Sequence, residues 1–477
     1  DNVVAAASRG DWVIGYYRDE QPGGDEDRPD AETSQSAEGL DEGSINSELA
    51  ERLEAQIRKL YFTNYANAWF DLLESVRINR FSSLEDASKK ILLLARSDGP
   101  VGELLRAVSN NINLTNSTEG ALNGEPVAEL DSPLRDLRKL TDPADKMTVS
   151  LLINQYLLAI STVQSELDRL AAAVDVQRES KLYAGNILSG GGASSELYKS
   201  WVSTSSLLNG IEARTRNVGS KILIAPLRHA WQAILQEAGK DLQREWRVAV
   251  LTNYNNHLLG RFPFDRKGSD AALVDLADFF RPDDGIYWSF VQEQLAPFIA
   301  EGRNSWREKK WLDLGLGFKR EFLSSLSKAQ NISDGLFRRG SDEPEIRFSV
   351  YPKPTRGLSE IYFESNGEVY RYRNEPQEWR PFRWSANAEK FGARVYGIDG
   401  HGEARAELQV DGIWGIFRLL DQAKVARESG TQFLNIWEMK GDNGTPVVVQ
   451  FKFKADRENN LFDPNLFTSF NLPTNLF

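Results

Sequence analysis

The hydrophobic period of this chain changes once, at about residue 340, and that change limits what it can fold into. Before it, from Ser47, apolar residues recur at the three- and four-residue spacing of a helix face. After it they alternate in short β-branched and aromatic runs. The pattern predicts an α+β chain: a large all-α multi-helix region, then a C-terminal antiparallel β-sandwich-like domain.

The helical part begins with "SELAERLEAQIRKLYFTNYANAWFDLLESV", where Leu49, Leu53, Ile57, Leu60 and Tyr61 make one stripe and Tyr65, Trp69, Leu72 and Val76 extend it. Further helices are expected at 83–96, at 100–112 with Pro100 in the first turn, and at about 143–176. Others should follow at 195–209, 220–256, 270–280, 286–302 and 315–329. The polar "NLTNSTEGALNGEPVAELDSP" reads as a loop and "LSGGGASS" at 188–195 as a break. Residues 19–44, "DEQPGGDEDRPDAETSQSAEGLDEGS", are too polar and acidic to build a core and read as a flexible tether. This gives a domain plan of 1–45, 46–190, 191–340 and 341–477.

In the last part, eight strand-like runs extend from "EIRFSVYP" to "PVVVQFKFKA". Between several of them stand "SNGE", "DGHGE" and "GDNGT", with the Asn and Gly that tight hairpin turns require. One stretch breaks the alternation. In "VDGIWGIFRLLDQAKVARESG", 410–430, Ile413, Ile416, Phe417 and Leu420 lie at helical spacing. A short helix at 412–424 is expected to close an open end or edge of the sheets with its aromatic face.

Chemistry is harder to find. With 57 basic and 69 acidic residues the net charge is −12, which argues against a nucleic-acid surface. There is no cysteine, hence no disulfide, thiolate nucleophile or cysteine-held metal. His229, His257 and His401 have no local partner at metal spacing, so neither a metal nor a cofactor is expected. "SLSK" at 325–328 matches S-x-x-K without its companion motifs, and "GLGFKRE" at 315–321 lacks the spacing of a phosphate loop. Acidic pairs such as Asp283 with Asp284 leave open an enzyme of envelope polymers, a peptidoglycan hydrolase with two carboxylates in a helical cleft. No run is apolar for long enough to span a bilayer. The start at Asp1 suggests a processed piece, with any membrane segment ahead of it.

Several ordered stretches carry a family resemblance. "LYFTNYANAWFDLL" at 60–73, "GRFPF" at 260–264, "LADFFRPDDG" at 276–285 and "QEQLAPF" at 292–298 are four of them. "DGIWGIFRLLDQA" at 411–423 and "FNLPTNL" at 470–476 complete the series. Together they resemble the periplasmic region of the IcmF (TssM) family of type VI secretion proteins. This chain departs from the family in Arg281–Gly285, where a Gly-rich turn is expected, and in Ile413, where Pro is more usual.

The resemblance implies a non-catalytic periplasmic scaffold, the soluble portion of an inner-membrane-anchored protein. It implies binding to an outer-membrane lipoprotein of the TssJ type, association with inner-membrane TssL, and self-association. With the inserted helix expected to be structural, partner contacts are expected on exposed turns of the β-domain. These are Asn366 and Gly367; Asp399, Gly400, His401 and Gly402; and Asp442, Asn443, Gly444 and Thr445.

Overall fold

The long first stripe forms α1, Glu42–Ser75. The computed structural model describes residues 42–112, 128–141, 151–303, 305–338, 341–385, 387–441, 444–456, 462 and 465–477. Residues 19–41 of the acidic stretch therefore lie outside it, as do Asp442 and Asn443 of the expected turn sites.

The described chain divides into two compact units, Asp1–Ala171 with Ser194–Ala233, and Ala172–Ala193 with Ile234–Phe477. In the first, α1 is followed by α2 (Leu84–Ala95), α3 (Pro100–Ile112), α4 (Ala128–Thr141) and α5 (Leu151–Ala171). Ser83 caps α2 by accepting from the Asp86 N–H at 3.1 Å, which satisfies one of the donors a helix start leaves free. α2 packs along α5, and Ile91, Ile153, Ile160 and Val163 are fully buried. Helix α4 corrects the expected loop: its first residues, Ala128–Pro133, fall inside the stretch whose Asn, Gly and Ser content reads as irregular.

The second unit holds α6, Val176–Asn186, which Asp175 caps through the Arg178 N–H. In the following Gly-rich stretch Gly190 has φ +91°, which ends the helix as glycine permits. Beyond it come α7 (Glu196–Leu207) and α8 (Ala213–Gly219) of the first unit, then α9 (Ala225–Glu245) and α10 (Thr252–His257). Next are α11 (Leu273–Phe280) and α12 (Ile286–Phe290). The helix expected to reach 302 stops near Leu295, because Pro297 follows and Ile299–Glu301 instead pairs with Trp306–Glu308 as the hairpin β1–β2. Helix α13, Arg320–Leu336, closes the helical part.

The β-domain is two antiparallel sheets. Its strands are β3 (Glu345–Lys353), β4 (Glu360–Ser365), β5 (Glu368–Tyr372), β6 (Arg380–Ser385), β7 (Ala393–Ile398) and β8 (Ala404–Val410). After them come the inserted helix α14 (Gly415–Asp421), then β9 (Lys424–Arg427), β10 (Gln432–Lys440) and β11 (Pro446–Ala455). One sheet has the order β6-β3-β11-β10-β9 and the other β5-β4-β7-β8. Alternate residues point inward, and Phe348, Phe363, Phe451 and Phe453 meet between the sheets. Strand β9 is not foreshadowed in the sequence, because its four residues are all exposed and carry no alternation.

Candidate functional site

The inserted helix answers to two neighbours at once. Trp414, fully buried just before α14, packs against Trp384 of β6 at 5.5 Å and against Phe417 at 5.5 Å. The indole N–H groups of three tryptophans are each satisfied by a backbone carbonyl: Trp384 donates to Ile413, Trp437 to Leu419, and Trp414 to Ala271. The last contact leaves the sheets. Ala271 ends the loop that starts with "GRFPF", folded on itself by Phe262 N–H to Ser269 O at 2.8 Å and Ala271 N–H to Phe262 O at 2.9 Å.

Arg418 holds the same loop. Its Nε donates to Asp270 Oδ1 at 2.8 Å, its Nη2 to the Gly268 carbonyl at 2.8 Å, and its guanidinium lies 4.2 Å from the Phe262 ring centroid. Residues 465–477 add a second fastening. Phe470 packs on Tyr254, Phe264 and Phe280; Trp246 Nε1 donates to Pro473 O at 3.0 Å; and Lys319 N–H donates to Leu476 O at 2.8 Å. The β-domain is therefore fastened to the helices of 234–336 by two separate segments, which makes the inserted helix structural.

Of the turn residues expected to meet a partner, Gly367, Gly400, His401, Gly402, Gly444 and Thr445 are exposed, Asn366 is half-buried and Asp399 is buried. Asn366 (φ +52°) and Gly367 (φ +84°) make the β4–β5 turn, the left-handed pair that a two-residue hairpin uses. Asn366 N–H donates to Gly392 O at 3.0 Å, placing that turn at the start of β7. The β7–β8 turn is at the other end of the strand. Its Asp399 carboxylate accepts from His401 N–H at 2.8 Å, Glu403 N–H at 3.2 Å and Arg405 Nε at 2.8 Å. The His401 N–H foremost, with the Glu403 N–H and the Arg405 guanidinium, holds the Asp399 carboxyl below the usual carboxylate range. Gly400, His401 and Gly402 form the exposed tip, Gly402 with φ +87°.

The β10–β11 turn joins this second end. Gly441 N–H donates to Thr445 O at 3.0 Å and Gly444 N–H to Gly441 O at 2.8 Å. A Cβ on Gly441 would lie 3.3 Å from the Arg405 carbonyl, so this turn sits against the start of β8. The fold thus puts the turn with Gly444 and Thr445 at the same end of the sandwich as Asp399–Gly402, with Asn366 and Gly367 at the other end.

The helical part of the second unit contains a cleft of about 630 Å³, the natural place for a carboxylate pair. Its buried carboxylate, Asp241, is paired with both Lys181 and Arg244, and Lys181 also donates to Gln294 Oε1 at 2.9 Å. Asp283 and Asp284 are elsewhere, in an exposed turn where Arg281 reaches Asp284 at 3.3 Å. Ser325 of the S-x-x-K match is buried and donates to Phe322 O at 2.7 Å, whereas Lys328 donates to Ser469 O at 2.6 Å. Among the described residues no three His, Asp or Glu cluster as metal ligands, and no helix is long and apolar enough to cross a membrane. His229 stacks edge-on against Phe81 at 5.5 Å, and burial, with Arg80 and Arg228 nearby, lowers its pKa.

Comparison with known proteins gives three family models along the chain. Residues 1–113 match an IcmF-related model described as intracellular multiplication and human macrophage-killing. Residues 237–342 match the type VI secretion protein IcmF helical domain, and residues 348–455 the IcmF C2-like domain. A type VI secretion system component, TssM1 of Pseudomonas aeruginosa, is 22% identical over 462 residues, which cover 90% of this chain and 40% of that protein. The chain thus spans about two-fifths of the length of that curated relative. Two solved structures share the fold. A type VI membrane complex chain has a TM-score of 0.71 at 23% identity, covering 92% of this chain and 90% of its own length. A chain of a type VI secretion system membrane core complex has a TM-score of 0.66 at 24% identity, covering 91% and 87%.

Proposed function

Because this chain belongs to the IcmF family of type VI secretion proteins, we propose that it serves as a non-catalytic scaffold in a type VI membrane complex, on the periplasmic side. In this reading the β-domain, within 341–477, binds an outer-membrane lipoprotein of the TssJ type. The helical part joins inner-membrane TssL and further copies of the chain.

The observation that carries the reading is the convergence of the β7–β8 and β10–β11 turns on one end of the sandwich, with Asp399 bound to Arg405 behind them. A standard interface buries about 800 Å² on each partner, so flanking residues of that end must contribute with the turns. The double fastening of the β-domain supports a load-transmitting role, since force on the sheets would pass into the helices through Arg418–Asp270 and through residues 465–477. In the cleft, the pairing of Asp241 with two cations suits a structural contact better than proton transfer, which favours the scaffold over hydrolysis of an envelope polymer.

The test is calorimetric titration of the 477-residue chain with the soluble part of the cognate lipoprotein. Saturable binding is expected, weakened about tenfold or more by His401→Glu or Thr445→Arg and unaffected by Lys390→Glu beside the Asn366–Gly367 turn. Silence of a folded chain would remove the lipoprotein from the proposal. Loss of binding with Lys390→Glu alone would move the site to the other end.

A further inference from the structure

The outer face of the five-stranded sheet has a charge opposite to that of the chain. Strand parity puts Arg347 and Lys353 of β3 on this face, and the register sets Arg383 of β6 directly across from Arg347. Lys452 and Lys454 of β11 follow, paired across from Tyr351 and Ser349. Lys440 of β10 and Lys424 of β9 extend the same face.

The acids on it are few. Glu345 serves both arginines, at 2.7 Å from Arg347 and 3.9 Å from Arg383. Glu428 meets Lys452 and Glu438 meets Lys424, each at 2.6 Å. Lys440 and Lys454 are exposed, and among the described residues no acid pairs with either; Lys353 lies over the Tyr351 ring, at 5.9 Å. Arg347 and Arg383 stand opposite each other and share the one carboxylate of Glu345, so this trio keeps a net positive charge. In a chain of net charge −12 this concentration of cations is a local exception.

We propose that this face docks on an anionic phospholipid surface. Three features favour lipid. The face is a sheet surface, and the cleft around Asp241 is not lined by its cations, which suits an extended surface rather than one small ligand. Its unneutralised charges are lysines, hydrated point charges that suit scattered phosphates, where a fixed carboxylate partner favours the fork of arginine. The half-exposed Leu434 and Ile436 lie among them, and Trp379, 37% exposed, packs at a tilt on Tyr351 at 5.2 Å, the apolar and aromatic groups that an interfacial layer accepts. The inference rests on the charge of this face and is independent of the lipoprotein reading.

The experiment is vesicle flotation of the full chain, using phosphatidylcholine alone or with phosphatidylglycerol added. Flotation is expected only with the anionic vesicles and should weaken as salt is raised. The K440Q/K454Q variant should lower partitioning about tenfold or more, while R373Q/K390Q, an equal charge loss off this face, should leave it within about twofold. Circular dichroism confirms that both variants fold. Absence of flotation on anionic vesicles at low salt overturns the proposal and leaves an acidic protein surface as the competing occupant. Equal flotation on neutral vesicles, or equal loss in both variants, overturns it as well.

Discussion

Replacing Gly415 by alanine tests how closely the inserted helix is held to the sheet. At an exposed helical position this change stabilises by roughly 0.5–1 kcal/mol, because alanine loses less backbone entropy. At Gly415 the added Cβ would lie 2.6 Å from the Val410 carbonyl oxygen, 2.7 Å from Gly392 Cα and 3.0 Å from Ala393 N. All three are backbone atoms of the strands β7 and β8 or their ends, so no side chain can rotate aside. The helix must lift, and with it Trp414 and Arg418 leave Ala271 and Asp270. Overpacking of this kind costs about 1–3 kcal/mol, which exceeds the propensity gain and reverses the sign of the substitution. A net loss of about 1 kcal/mol should lower the melting temperature by about 2–4 °C for a unit of this size. Differential scanning calorimetry of the full chain gives the shift, and hydrogen exchange across 393–421 locates it. A melting temperature unchanged or raised would refute the close approach and the latch built on it.

Other outcomes follow from the same contacts. Arg418→Gln, which removes a half-exposed ion pair with Asp270 and the cation over Phe262, should cost about 1–2 kcal/mol in denaturant titrations, with the wild-type advantage shrinking as salt rises. Trp246→Phe takes away the donor to Pro473 and part of a fully buried ring; a loss of about 1–3 kcal/mol is expected, with faster exchange in residues 465–477. The Asp399 carboxyl is held below its unfolded value, so its contribution is present above about pH 4 and disappears as pH falls through the lowered folded value. Carbon-detected NMR titration should find it ionised below the usual aspartate range, and Asp399→Asn should abolish that part of the acid dependence.

Much of the fold was written in short-range pattern. The strand β11 is the whole of "PVVVQFKFKA", because alternation carries the inward and outward faces directly, and Asn366–Gly367 fills a left-handed turn that few other residues enter. The pattern failed where local signals conflict with their surroundings. Ala128–Thr141 is a helix although its start looks like loop, and β9 shows nothing because an exposed edge strand has no face to bury. The candidate turns were legible as turns, from Gly and Asn alone. Which of them share an end was not, since that depends on the register of β4 with β7 and on Gly441 lying against Arg405.

By itself the sequence determined the change from helices to strands near residue 340, the helix inserted among the strands, and the overall negative charge, all of which follow from composition and from spacings within one element. Only the tertiary structure decided that Trp414 donates to a carbonyl 143 positions earlier, that Asp241 is spent on Lys181 and Arg244, and that the basic residues of five strands gather on one face. The physical reason is range. Periodicity and turn chemistry act over a few residues, whereas ion pairing, packing of indoles and the summing of charge depend on which distant elements the fold makes neighbours.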